Sequence, residues 1–191
     1  MRIAWNDPIL FKQVLDLGAS GIMVPYVQTG DEARRAVAAM RYPPAGIRGV
    51  AAMNRACSCG PGFEEYFNRA SSKLVTILQI ETAEAIRNVE QIAAVDGADV
   101  LFVGPMDLSV GLGIPMQWSH PDLRSALKLV VNACRKAGKT AGMIVMNEDQ
   151  IEQALADGFT MLSYSSDSSV VVKGLQSIAS TFRKHALALK L

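Results

Sequence analysis

Two acidic residues stand where a parallel β/α fold would put its chemistry. Glu81 directly follows the apolar run at residues 74–80. Asp107 follows the run at 100–103 across Gly104-Pro105-Met106. If both runs are strands of one parallel sheet, their carboxyl ends share a rim, and active sites of such folds sit on that rim. Two carboxylates on neighbouring strand ends form an oxygen-only donor set. Such a set suits Mg²⁺, Mn²⁺ or Co²⁺ and leaves positions for water and a bidentate substrate. The competing structural reading is that Glu81 merely favours the start of the following helix through the helix dipole. Arg2 ends a short first strand at residues 1–3. If that strand is in register, its planar, permanently charged group faces the same rim, where it suits a carboxylate or an enolate oxygen. The alternative there is a frayed terminal side chain.

Other chemistries find less support. Cys57-Ser-Cys59 has no second Cys/His pair at zinc spacing. The two histidines, His120 and His185, lie far apart, and no Ser-His-Asp signature accompanies them. A Schiff-base aldolase needs a lysine at a strand end in an apolar pocket. Lys73 and Lys139 instead precede their strands. Metal-assisted enolate chemistry is what remains.

The elements that must position these groups follow from the hydrophobic pattern. Apolar runs at 21–25, 74–80, 100–103, 140–145 and 159–164 are nearly continuous rather than alternating, as in strands covered on both faces. Between them lie helical patterns at 7–16, 31–40, 82–95, 121–137, 148–156 and 168–189. Strand–helix alternation predicts right-handed βαβ units, about six with the fragment at 1–3. The fold class is therefore α/β, of the (β/α)8 TIM-barrel type, and N-terminally incomplete, since a closed barrel needs about 250 residues. An open doubly wound sheet is the second option, but no glycine-rich phosphate loop follows the first strand. Residues 1–191 read as one partial barrel domain. It carries an excursion at 41–72 that contains a helix at 62–69. Long excursions in compact domains tend to be functional; an insertion without chemistry is the alternative.

Bulk properties narrow the classes. Lys plus Arg number 19 and Asp plus Glu 18, so no basic surface argues for nucleic acid or for a membrane. No apolar run approaches the roughly 18 residues of a membrane span. Residues 1–7 lack a signal-peptide layout. Three cysteines are too few and odd in number for a disulfide framework. A reducing, cytoplasmic setting is expected.

Four segments together resemble the HpcH/HpaI aldolase family: Met1-Arg-Ile-Ala-Trp-Asn-Asp7, Tyr42-Pro-Pro-Ala-Gly-Ile-Arg-Gly-Val50, Leu78-Gln-Ile-Glu-Thr82 and Phe102-Val-Gly-Pro-Met-Asp-Leu108. They stand in family order across essentially the whole chain. The resemblance implies a metal-dependent class II aldolase or lyase that reversibly cleaves 4-hydroxy-2-oxo acids to pyruvate and an aldehyde. It implies Glu81 and Asp107 as metal ligands, Gln79 lining the pyruvate site and Arg2 stabilising the enolate oxygen. Backbone N–H groups of Met106 and Asp107 would hold the pyruvate carboxylate, with Gly104 and Pro105 allowing close approach. It also implies a homo-oligomer, usually a hexamer, whose last helix is exchanged between neighbours. The family's first two β/α units are not matched. They carry the histidine, supported by an aspartate, of proton transfer, and neither His120 nor His185 takes that place. Ser163-Tyr-Ser-Ser-Asp167 also departs from the family's usual valine and glycine before this aspartate. Weak activity of the chain alone is therefore expected. The alternatives are a catalytically silent barrel remnant serving as a binding or oligomer subunit, and a CoA-ester lyase or decarboxylase of the same superfamily.

Overall fold

The computed structural model describes residues 1–188, so Leu189, the expected end of the last helix, lies outside the described residues. Five strands form: β1 (Gly21–Val24), β2 (Val75–Ile80), β3 (Val100–Val103), β4 (Thr140–Val145) and β5 (Met161–Tyr164). They make one sheet in the order β1-β2-β3-β4-β5, and every neighbouring pair is parallel. Strictly sequential order decides between the two expected architectures. Right-handed crossovers in one direction put all helices on one face of the sheet. A doubly wound sheet would reverse direction and cover both faces. Here the sheet curls, and its helix-free face becomes the interior of a half-barrel. Arg2 adds a bridge to Met23, with the Ile3 N–H donating to the Met23 carbonyl at 3.1 Å. The terminal fragment is thus tied to β1 as the start of a further strand, and is not frayed.

Side chains alternate between the two faces. Leu78, Ile80, Leu101, Val103 and Val145 enter the main core with Leu15, Ile92, Leu127 and Val130 from the helices. Ile77, Val100 and Phe102 form a separate interior cluster with Met23, Ile144 and Met161. The interior is tight. A Cβ on Gly142 would lie 2.7 Å from Phe102 Cδ2, so the ring fills the space that this glycine leaves.

Nine α-helices lie among the described residues: α1 (Pro8–Asp16), α2 (Gly30–Met40), α3 (Phe63–Lys73), α4 (Ala83–Arg87), α5 (Val89–Ala93), α6 (Pro105–Gly111), α7 (Pro121–Ala137), α8 (Glu148–Asp157) and α9 (Asp167–Ala188). The local chemistry is legible: Asp7, Thr29, Thr82, His120 and Asn147 cap α1, α2, α4, α7 and α8 through their side chains. The helix expected at 82–95 is instead two short ones. They break at Asn88, whose amide donates to the Gln28 carbonyl at 2.9 Å. Helix α6 was not expected from periodicity; Pro105 at its first position starts it. No helix among the described residues is long and apolar enough to cross a membrane.

The excursion is organised by a buried cation. Arg48 is 2% exposed. Its guanidinium donates to Asp16 on α1 and to the Tyr66 hydroxyl on α3, both at 2.9 Å, and lies 4.6 Å from the Tyr42 ring centre. Burial alone would favour loss of the proton. The Asp16 and Tyr66 hydrogen bonds more than offset it, and the net shift is upward. The segment 41–50 is thereby clamped between α1 and α3. The helix expected at 62–69 forms and runs on to Lys73. Replacing Arg48 by Ala should cost about 3 kcal/mol, through the lost buried pair and stacking. Lys12→Ala, which breaks only the more exposed pair to Asp16, should cost under about 1 kcal/mol. Urea denaturation midpoints at unchanged slope check both.

Candidate active site

Period-two alternation along β2 sets the site. Ile77 joins the interior cluster, so Gln79 and the following Glu81 face the same interior. Glu81 is 5% exposed. Its Oε2 accepts the Tyr26 N–H at 3.2 Å, and its Oε1 accepts Gln79 Nε2 at 2.6 Å. Among the described residues no Lys, Arg or His comes within ion-pair distance of it. Burial pushes its carboxyl above the ordinary value, and the negative charge of Asp107 adds to this. The Tyr26 N–H and the Arg2 charge pull the other way, and the net shift is upward. Glu81 does not cap α4: Thr82 does, accepting the Ala85 N–H at 3.0 Å. Glu81 is thus not the cap of α4, and it is a buried acid with no ion-pair partner among the described residues, on which Arg2 acts from beyond contact distance.

The end of β3 closes on it. A Cβ on Gly104 would stand 2.8 Å from Glu81 Oε1, so only glycine lets the chain pass there unshifted. Immediately beyond, α6 begins at Pro105. Its first N–H to reach a carbonyl is that of Leu108, on Gly104 at 2.9 Å. The Met106 and Asp107 N–H groups are thus the unpaired ones of the first turn. Met106 and Asp107 are exposed at the rim. Gln79 Oε1 is buried with no hydrogen-bond partner. Arg2, as the bridge partner of Met23, lies on the interior face, and its charge is felt at Glu81. The sequence-derived set of Arg2, Gln79, Glu81, Gly104, Pro105, Met106 and Asp107 is thus gathered around one strand-end rim.

Sequence reasoning missed Tyr26. It follows β1 much as Glu81 follows β2, and it contributes a backbone donor, which no side-chain chemistry signals. Its φ of +58° lies in the left-handed region that non-glycine residues rarely adopt. Its ring stacks on Trp5 with centroids 5.7 Å apart. The remaining reactive residues stand elsewhere. His120 accepts the Asp122 N–H at the start of α7, and His185 lies in α9. Lys73 ends α3 and Lys139 precedes β4, at the opposite end of the strands. Cys57 and Cys59 are free thiols of the excursion.

The site is all oxygen in its donors: the Glu81 and Asp107 carboxylates and the unpartnered Gln79 Oε1. Among the described residues no group of three or more His, Cys, Asp and Glu gathers. Oxygen donors are the type a hard cation takes, and among the described residues they form no closed structural zinc site.

Comparison with known proteins gives the family of the chain. The sequence profile of the HpcH/HpaI aldolase/citrate lyase family matches residues 1–174. The 4-hydroxy-2-oxo-heptane-1,7-dioate aldolase of Shigella sonnei is 37% identical over 190 residues, covering 100% of this chain and 72% of the relative. A crystal structure of an HpcH/HpaI aldolase/citrate lyase family protein from Burkholderia cenocepacia superposes with a TM-score of 0.87 at 34% identity, over 95% of this chain and 72% of that one. The HpcH/HpaI aldolase of Desulfitobacterium hafniense gives 0.86 at 29% identity, over 95% and 71%. The chain belongs to the HpcH/HpaI aldolase/citrate lyase family.

Proposed function

We propose that this chain carries the site of a carbon–carbon lyase, a metal-dependent class II aldolase that cleaves 4-hydroxy-2-oxo acids to pyruvate and an aldehyde. The observation that carries the reading is the buried, uncompensated Glu81 carboxylate, with Asp107 and the orphan Gln79 oxygen beside it. Its aldolase relatives support the same reaction class. Glu81 and Asp107 would hold the cation. Mg²⁺, Mn²⁺ and Co²⁺ all suit such a donor set. When bound, the cation supplies a Lewis acid for the oxo and carboxylate oxygens of the substrate.

The chain's own residues divide the remaining work. The Met106 and Asp107 N–H groups, at the positive end of α6, hold the substrate carboxylate. Gly104 and Pro105 let it approach the backbone. Gln79 lines the pyruvate half. In the cleavage direction the C4 hydroxyl loses its proton, the C3–C4 bond breaks, and its electron pair moves through C3 to the C2 oxygen. Arg2 donates to that oxygen as charge develops on it, an interaction stronger in the transition state than before it. A proton then adds at C3 to complete pyruvate. Neither His120, which caps α7, nor His185, on α9, is among the groups acting on Glu81, and the hydroxyl proton passes to water. General-base catalysis is worth about 10²–10⁴-fold, and turnover of the chain alone should fall short of its relatives by that order. A cytoplasmic setting fits the three free thiols. The homo-oligomer, a hexamer in the family pattern, is supported by α9. Its Val171, Leu175, Ile178 and Phe182 form an exposed apolar stripe at helical spacing, suited to exchange with a neighbouring copy.

Calorimetric titration with Mn²⁺ or Mg²⁺, followed by pyruvate, tests the site. Saturable heat is expected from the native chain and none from Glu81→Ala. Arg2→Lys should keep the metal heat and lower the retro-aldol kcat about 10²–10³-fold. Unchanged metal binding in Glu81→Ala would leave the silent remnant as the better description. A second prediction concerns pH. Because the folded Glu81 carboxyl titrates above its ordinary value of 4.5, the native state holds this proton more firmly than the unfolded chain does. Metal-free stability therefore declines as pH rises through that window. Glu81→Gln lacks this decline. In EDTA, melts from about pH 4 to about pH 8 should show the variant gaining on the native chain as pH rises. A gap that stays constant with pH would exclude a raised Glu81.

A further inference from the structure

The segment that follows β1 is bonded to the end of β2 at three successive residues. The Tyr26 N–H donates to Glu81 Oε2 at 3.2 Å. The Val27 N–H donates to the Gln79 carbonyl at 3.3 Å. Gln28 Oε1 accepts the Thr82 hydroxyl at 3.1 Å. Tyr26 reaches Glu81 with a φ of +58°. A bulky side chain keeps to that region only where its surroundings over-determine the backbone. One bond to a carboxylate on a movable side chain does not do so. The restraint has to come from the neighbouring residues.

Gln28 supplies it. Besides the Thr82 bond, its N–H donates to Glu32 Oε2 at 2.6 Å and its carbonyl accepts Asn88 Nδ2 at 2.9 Å. The first turn of α2, the cap of α4 and the break between α4 and α5 thus converge on one residue. These partners are fixed in turn. The Glu32 N–H donates to the Thr29 hydroxyl at 3.2 Å, and the Glu32 carbonyl accepts the Asn6 amide at 3.0 Å. Thr82 accepts the Ala85 N–H. Val27, between Tyr26 and Gln28, is fully buried. At the acid the consequence is one of orientation. Tyr26 holds Oε2 and Gln79 holds Oε1, one donor on each oxygen. A carboxylate oxygen has about two lone-pair sites, so both oxygens keep capacity for a cation while the plane of the group is set.

We propose that Gln28 is a positioning residue of the metal site: anchored by Glu32, Thr82 and Asn88, it keeps the Tyr26 N–H on Glu81 and so sets the plane in which that carboxylate meets a cation. This rests on the reading of Glu81 as a metal ligand and deepens it. Asn88, where α4 breaks from α5, serves the site through the Gln28 carbonyl. Both residues act through Tyr26.

Amide exchange followed by NMR on the metal-free protein, together with calorimetric Mn²⁺ titration, tests this. Asn88→Ala removes the donor to the Gln28 carbonyl. Gln28→Met removes the acceptor of the Thr82 hydroxyl at nearly equal length. In Asn88→Ala, exchange at the Tyr26 and Val27 amides should quicken about tenfold or more, while Leu127 and Val130 of α7 stay within about twofold. The Mn²⁺ Kd should rise about 10–100-fold, as for other groups that orient metal ligands. Gln28→Met should move both quantities the same way by about fivefold, and it carries the test if Asn88→Ala fails to fold. Ile92→Val trims a fully buried side chain of α5. It should lower the Tm yet leave the Mn²⁺ Kd within about twofold, which tells positioning from mere loss of stability. Unchanged exchange at Tyr26 overturns the proposal, and so does faster exchange with an unchanged Kd. In both cases the native chain still binds Mn²⁺, and the aldolase reading stands. No Mn²⁺ heat from the native chain is the failure of that reading itself, and the positioning role falls with it.

Discussion

A carboxylate buried without a counter-charge is the constraint around which this structure is arranged. Glu81 is desolvated, accepts two hydrogen bonds from neutral donors, and faces the negative charge of Asp107. Left alone, such a group destabilises the native state at neutral pH. Its surroundings are nonetheless built to keep it. The Tyr26 backbone bends into a disfavoured region to reach it, Gln79 turns its amide toward it, and Gly104 gives up a side chain to pass it. Arrangements that accept local strain and unpaired charge are the ones that a ligand completes.

The sheet order makes this possible. Five parallel strands in sequential order place every helix on one face, so the other face is lined only by strand residues. Ile77, Val100 and Phe102 fill its lower part, and on β2 the next inward positions are the polar Gln79 and Glu81. The same alternation that sends Leu78 and Ile80 into the helix-side core sends Gln79 and Glu81 inward. Core and site are thus two readings of one period-two pattern, and a register slip of one residue would exchange them.

Much of this was legible beforehand. The strand runs at 74–80, 100–103 and 140–145 match β2, β3 and β4 to within a residue, because fully covered strands show continuous apolar sequence. The helix starts expected at 31, 121 and 148 fall within a residue of those of α2, α7 and α8, which Thr29, His120 and Asn147 cap. What escaped were features whose cause lies far along the chain. The break at Asn88 depends on a carbonyl of Gln28, and the conformation of 41–50 depends on Arg48 finding Asp16 and Tyr66. No local pattern reports a partner tens of residues away.

Taken alone, the sequence determined the residue types, the strand ends that carry Glu81 and Asp107, and the parallel β/α class, because periodicity and position after an apolar run are local properties. Only the tertiary structure decided that the sheet is singly wound, that Glu81 is buried without an ion-pair partner while Thr82 does the capping, and that Tyr26 and Trp5 stack on each other. Those outcomes depend on which strands become neighbours and on which groups lose their water, and both are set when distant segments pack together.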